Sequence, residues 1–114
     1  MHEAGLALNI MEICGEHLER SGASRVDCVR LRLGAASGVE PECLRFAFDA
    51  AKPGTPFEKA GLEIEETAVK GSCPACGESF ATKEKYILCC PCCGASGVRL
   101  TSGRELLITE IDVS

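Results

Sequence analysis

One five-residue pattern occurs twice in this chain, as Cys73-Pro74-Ala75-Cys76-Gly77 and Cys90-Pro91-Cys92-Cys93-Gly94. A Cys-x-x-Cys turn aims two sulfurs at one point, and a second such turn completes a tetrahedral thiolate set about 2.3 Å from a metal ion. The glycine closing each copy tolerates positive φ, which lets nearby amide N–H groups point at the sulfurs. Cys89 and Cys92 form a second Cys-x-x-Cys, offset by one residue. Only the Cys90/Cys93 register repeats the proline and glycine of the first copy, so Cys73, Cys76, Cys90 and Cys93 are the expected ligands. Cys89 and Cys92 are then spare thiols beside the site. Four thiolates in a closed tetrahedron favour structural Zn(II), with an iron site of the same ligand set as the alternative. A disulfide framework fits poorly, because nine cysteines is an odd number and the first residues do not resemble a secretion signal.

A chain of 114 residues fits one domain, or a small domain carrying a metal-stapled insertion. No apolar run approaches the ~20 residues of a membrane span, and His2 and Glu3 stand where a signal peptide would carry basic residues. A cytoplasmic protein without membrane contact is therefore expected. Formal charge is −5; four deprotonated cysteines subtract four and Zn²⁺ returns two, giving −7. Such a balance argues against nucleic acid, whose binding rests on neutralising phosphates. The cysteine segment has Lys83, Lys85 and Arg99 against Glu78 and Glu84, with Phe80 and Tyr86 as its only aromatics. That is a thin platform for base stacking.

Elements follow from periodicity. Ala7, Ile10, Met11, Cys14 and Leu18 recur at helical spacing, with Glu3, Glu12, Glu16 and Glu19 mostly off that stripe. A helix over residues 3–20 is expected, stopped by Ser21-Gly22. Cys14 and Met11 read as core and His17 as a solvated or core-edge histidine. Residues 25–33 alternate Val29, Leu31 and Leu33 against Arg30 and Arg32, which predicts a strand with one buried face. Pro41 fits a first helical position, and Leu44, Ala47, Phe48 and Ala51 share a face of a second helix ended by Lys52-Pro53-Gly54. Residues 62–69 and 105–113 read as further strands. Because the last strand follows the cysteines, the expected fold is α+β: a small three-stranded sheet with two helices, carrying an inserted zinc-ribbon module. Residues 1–70 plus 103–114 would form the α+β domain and 71–102 the ribbon.

Met1-His2-Glu3 has chemistry at a free N-terminus. The amine of Met1, the amide nitrogen of His2 and its imidazole Nδ1 form fused chelate rings, and Glu3 offers a backbone nitrogen or a carboxylate as a fourth donor. Planar nitrogen and oxygen donation suits Ni(II) or Cu(II) rather than zinc. Residue chemistry alone favours a plainer role, a helix start with Glu3 complementing the helix dipole.

Further features occur in order: the Met1-His2-Glu3 start, a helix, the strand ending Leu31-Arg32-Leu33-Gly34, the Val39-Glu40-Pro41 helix start, the paired cysteine turns and a closing Ile-rich strand. Together they resemble the HypA/HybF family of hydrogenase nickel-incorporation proteins over essentially the whole length. The resemblance implies a metallochaperone that binds Ni(II) at its N-terminus and delivers it for maturation of [NiFe]-hydrogenase. It implies a HypB-type GTPase and a hydrogenase large-subunit precursor as partners, and a monomer or weak homodimer is expected. It assigns nickel to Met1, His2 and Glu3, and structural zinc to Cys73, Cys76, Cys90 and Cys93. The doubled Cys89-Cys90 and Cys92-Cys93 departs from the family pattern.

Two other readings share the cysteine turns: a rubredoxin-like electron carrier, and a zinc-ribbon adaptor for nucleic acid or protein. The α+β portion is larger than an electron carrier requires, and charge disfavours the adaptor. No Ser/His/Asp order, phosphate loop or closely spaced acid pair with a plausible pocket is evident, and a closed four-cysteine set leaves no open position for water activation. An enzyme is not expected.

Overall fold

A computed structural model describes residues 2–82, 84 and 89–114. Met1, named above as a nickel ligand, lies outside the described residues, as do Lys83, Lys85 and Tyr86. The chain runs α1 (Glu3–Ser21), β1 (Val26–Gly34), α2 (Pro41–Ala51), β2 (Gly61–Thr67), β3 (Val69–Ser72), β4 (Ser79–Thr82), β5 (Arg99–Ser102) and β6 (Leu106–Val113). It divides into two compact units: residues 1–31, 39–65 and 107–114 form one, and residues 32–38 and 66–106 the other. The expected class is found, two helices and small sheets with a four-cysteine turn pair.

The first helix buries Leu6, Ala7, Ile10, Cys14 and Leu18. Leu6, outside the expected stripe that starts at Ala7, belongs to the same row as Ile10, Cys14 and Leu18 at steps of four. Met11 is only half-buried. His2 caps the start with extended backbone, its carbonyl accepting from the Leu6 amide at 3.0 Å. Gly22 closes the end at φ 74°, a left-handed turn available to glycine at little cost.

Strand β1 turns Val29 and Leu31 inward, at 0% and 1% exposure. Helix α2 starts at Pro41, whose missing N–H is one of the unpaired donors of any first turn, and buries Leu44 and Phe48. The connection after it is packed as well. Phe57 meets Phe48 edge to face at 6.3 Å, and Lys52 Nζ lies 5.6 Å from the Phe48 ring while donating to the Ala60 carbonyl at 2.9 Å.

The first sheet has the order β2-β1-β6. Ser114 exchanges backbone hydrogen bonds with Arg25, and the Gly34 amide donates to the Glu105 carbonyl, so β6 runs antiparallel to β1. Gly61 lies beside Cys28 and Thr67 beside Ala35, so β2 runs parallel to β1, with α2 as the crossover. On the outer face Arg30 reaches all three strands, pairing with Glu63 at 2.7 Å, Asp112 at 2.9 Å and Glu110. Each exposed pair contributes little by itself. Their shared geometry ties the three strands into one register.

The second sheet has the order β4-β3-β5, antiparallel throughout, with a register shift between Lys70 and Gly71. Here the structure corrects one expectation. Residues 62–69 were read as a single strand, yet β2 ends at Thr67 and Val69 opens β3 in the other sheet. The cause is packing. Val69 is wholly buried and sits against Gly103, where an added Cβ would come within 2.7 Å of the Val69 Cα. Gly71 is constrained in the same way, since a Cβ there would lie 2.5 Å from the Arg99 carbonyl oxygen. Residues 34–36 clasp the segments that enter and leave this sheet: the Ala35 amide donates to Thr67 and the Ala36 amide to Gly103. The Glu105 carboxylate completes the clasp by accepting from the Thr67 hydroxyl and, at 2.8 Å, from the Gly103 amide.

Phe48→Ala is expected to cost about 3–5 kcal/mol, a large share of a small domain's ~5–15 kcal/mol, read as a lowered urea midpoint with unchanged slope. Glu105 gives a pH test. The Thr67 hydroxyl, then the Gly103 amide, hold its carboxyl below the usual carboxylate range. Its stabilising contribution is therefore present above that range and fades as pH falls through the depressed value. Glu105→Gln is expected to be less stable than wild type at neutral pH, and the gap should close in acid. A gap independent of pH would show that the charge does not matter.

Candidate metal centre

Residues 73–78 and 90–95 fold as two copies of one turn. The Gly77 amide donates to the Cys73 carbonyl and the Gly94 amide to the Cys90 carbonyl, each at 2.8 Å. The Cys73 amide donates to Glu78 at 2.9 Å and the Cys90 amide to Ala95 at 2.8 Å. Gly77 and Gly94 stand at φ 75° and 77°, a conformation that a β-carbon would strain. The repeat in sequence is thus a repeat in backbone.

These turns bring Cys73, Cys76, Cys90 and Cys93 together, with all four Sγ atoms within 4.8 Å of one another. Cys73 to Cys93 is 3.6 Å and Cys76 to Cys90 is 3.8 Å. A regular tetrahedron with zinc–sulfur bonds of about 2.3 Å has edges of about 3.8 Å, so the donor set fits structural zinc. The first cysteine of each turn is buried and the second exposed. Cys89 and Cys92 are exposed and stand outside the cluster.

Charge within the cluster explains why a cation belongs there. The Cys93 amide, opposed by burial and helped by the Cys92 amide, brings the Cys90 thiol down to about 6. The Cys92 amide lies 3.3 Å from that sulfur. Cys76 goes the other way. The Glu78 amide pulls its thiol down, but desolvation and the sulfurs of Cys73, Cys90 and Cys93 outweigh it and raise the thiol to about 12. Cys93 is also held up, with the Ala95 amide opposing its neighbouring sulfurs and desolvation. Four thiolates cannot share this space without positive charge, and a divalent ion supplies it.

At the other end of the chain, His2 is exposed and makes no side-chain capping bond to α1. Glu3 is engaged: its carboxylate accepts from the Glu40 amide at 3.2 Å and from its own amide, and these bonds, its own first, lower its pKa. Glu40 is the N-cap of α2. The contact joins residues 37 positions apart. In the sequence Val39-Glu40-Pro41 marks only a helix start, and no local pattern signals a tertiary contact of this kind.

His17 is exposed while Cys14 is buried, and neither joins a metal-ligating cluster among the described residues. A hollow of about 610 Å³ runs between α1 and β6 past Ile13, His17, Ile111 and Val113. It holds none of the four clustered cysteines. Among the described residues, no helix is long and apolar enough to cross a membrane.

Comparison with known proteins gives one consistent result. The profile of the family described as "Hydrogenase/urease nickel incorporation, metallochaperone, hypA" matches residues 1–113. "Hydrogenase maturation factor HypA" of Rhizobium leguminosarum bv. viciae is 40% identical over 113 residues, covering 99% of both chains. The protein of the same name from Geobacter metallireducens is 39% identical over the same length, again covering 99% of both chains. In fold, the chain superposes on the solution structure of the Ni metallochaperone HypA from Helicobacter pylori with a TM-score of 0.68 at 22% identity, over 99% of this chain and 97% of that one. With its paired cysteine turns and a sequence match that runs from residue 1 to residue 113, the chain belongs to the HypA family of hydrogenase/urease nickel-incorporation metallochaperones, which are maturation factors and not enzymes.

Proposed function

We propose that this chain binds Ni(II) through the Met1 amine, His2 and Glu3 and delivers it for maturation of [NiFe]-hydrogenase. Cys73, Cys76, Cys90 and Cys93 hold a structural Zn(II). The reading places the protein in the cytoplasm as a monomer or weak homodimer. A HypB-type GTPase and a hydrogenase large-subunit precursor are its partners. Residues 1–70 with 103–114 act as the nickel-binding domain, and 71–102 act as the zinc ribbon. The observation that carries it is the family match beginning at residue 1, which includes the Met1-His2-Glu3 tripeptide. A metallochaperone family replaces the electron-carrier and adaptor readings of the same cysteine turns.

The two sites suit opposite tasks. Four thiolates on two turns enclose an ion and tie its binding to local folding. A terminal chelate is open on one side, and its donors are removed singly by an incoming acceptor. His2 offers an imidazole that no capping bond occupies. The Glu3 carboxylate already holds the Glu40 amide and Glu3's own amide, so either Glu3 donor gives up a hydrogen bond to reach nickel. Nickel ligands must be deprotonated, so acid releases the ion.

Calorimetric titration with nickel compares three proteins: native, His2→Ala, and native with one glycine added before Met1. The two changed proteins are expected to bind more weakly with zinc content unaltered, and Glu3→Ala should cost less than His2→Ala. Equal binding in all three would sink the N-terminal site.

Metal analysis tests the other site. Untagged protein should carry about one zinc per chain, lost in Cys73→Ala, Cys76→Ala and Cys93→Ala. Cys90→Ala should lose more zinc than Cys89→Ala. The same loss in both would mean that the ligand register is wrong.

A further inference from the structure

The first sheet ends in two different edges. Strand β2 and strand β6 each pair with β1 on one side, and among the described residues no strand lies on the other side of either. On β2, Glu65 and Glu66 are consecutive and both exposed. Consecutive side chains point to opposite faces, so this edge carries charge on both, a pattern that resists further pairing. Arg45 of α2 also donates to the Leu62 carbonyl there. Strand β6 differs. Its two charged side chains, Glu110 and Asp112, both turn to Arg30 on the outer face. Ile108, Ile111 and Val113 are only half-buried, and they line the hollow of about 610 Å³ beside Ile13 and His17 of α1. Ile13 is itself 46% exposed. One edge is blunted, and the other is open beside an apolar groove.

The outer face next to that edge is negative. Glu63, Glu110 and Asp112 converge on Arg30, three carboxylates on one guanidinium. Arg30 bonds Oε2 of Glu110 and Oδ2 of Asp112, and each carboxylate has a second oxygen able to accept. The Cys28 thiol on β1 registers the excess. Burial first, then the Glu63 charge, raise it; Arg30 opposes, and Asp112 and Glu110 add to the rise.

We propose that the β6 edge docks an extended segment of a partner protein in which basic and apolar residues alternate. Laid beside β6, such a segment pairs its main chain with the open edge. Its successive side chains point to opposite faces. Apolar ones enter the hollow beside Ile13, and lysine or arginine side chains come opposite Glu110 and Asp112, where cross-strand charge pairs stabilise a sheet. A second copy of this chain suits the edge poorly. Pairing β6 with β6 would gather the Glu110 and Asp112 carboxylates of both chains on one face, and like charges across strands oppose pairing. None of these residues is a proposed nickel or zinc ligand, so the edge and the metal sites stand or fall separately.

The probe is a synthetic peptide of about six residues, the usual length of a strand, alternating lysine and isoleucine and carrying a fluorophore. Anisotropy titration with the full-length chain is expected to show saturable binding that weakens as salt is raised, because exposed charges are screened. Amide resonances of Leu106–Val113 should shift on binding, and those of Gly61–Thr67 should not. Ile13→Asp, and Glu110→Gln combined with Asp112→Asn, are each expected to weaken binding several-fold. Three altered peptides leave the protein's own stability out of the test: one with the same residues in two blocks, one with glutamate for lysine, and one N-methylated along its backbone. Each is expected to bind several-fold more weakly. No binding by the alternating peptide, equal binding by any altered one, or unmoved resonances at Leu106–Val113 would overturn the proposal. Sedimentation showing a dimer that Ile13→Asp abolishes would overturn it in another way, by making a second copy the occupant.

Discussion

Four sulfurs held within 4.8 Å of one another are the constraint around which residues 73–95 are arranged. In the protein alone the arrangement is electrostatically divided. Amides draw Cys90 toward the thiolate, while crowding and desolvation hold Cys76 as a thiol. A divalent ion resolves that division, because each sulfur then faces positive charge at bonding distance. The short strands nearby have besides it the buried Val69 and the clasp made with Glu105. Strands β3, β4 and β5 have four residues each, and a sheet so small is marginal without a staple. A bound divalent ion would therefore add to a small core.

The other unit depends on ordinary burial. Residues Leu31, Leu44 and Phe48 are fully enclosed, and no buried side-chain polar atom among the described residues lacks a partner. Separating the two kinds of stability has a functional logic. A unit held by apolar packing is indifferent to metal supply, so the proposed nickel segment stays in position whether or not zinc is bound.

Much of this was legible in the residues. The helices are marked by the apolar stripe Ala7, Ile10, Met11, Cys14 and Leu18 and by Pro41, and both appear within a residue or two of expectation. The paired turns were legible because a five-residue repeat carries its own backbone with it, down to the glycine φ values. What escaped was set by tertiary contact. The alternation of Leu62 and Ile64 lapses at Glu65-Glu66-Thr67, and the burial of Val69 against Gly103 accompanies the move of the chain to another sheet. The parallel pairing of β1 and β2 has no local signature, since a strand's apolar alternation is the same in either direction. Phe57 carries no periodic signal in the sequence, yet its ring meets Phe48 edge to face. For the candidate sites, residue types and spacing named the clustered sulfurs, but the Glu3 contact with Glu40 required the fold to be seen.

That contact brings the beginnings of α1 and α2 to one carboxylate. Each helix start carries roughly half a positive charge, so a cation held on residues 2 and 3, as proposed above, would sit where two dipoles push outward. Glu3 screens the push without cancelling it. Such a position makes a poor store and a good launching point: the field that weakens the hold also points the ion away from the protein, toward whatever acceptor approaches from solvent.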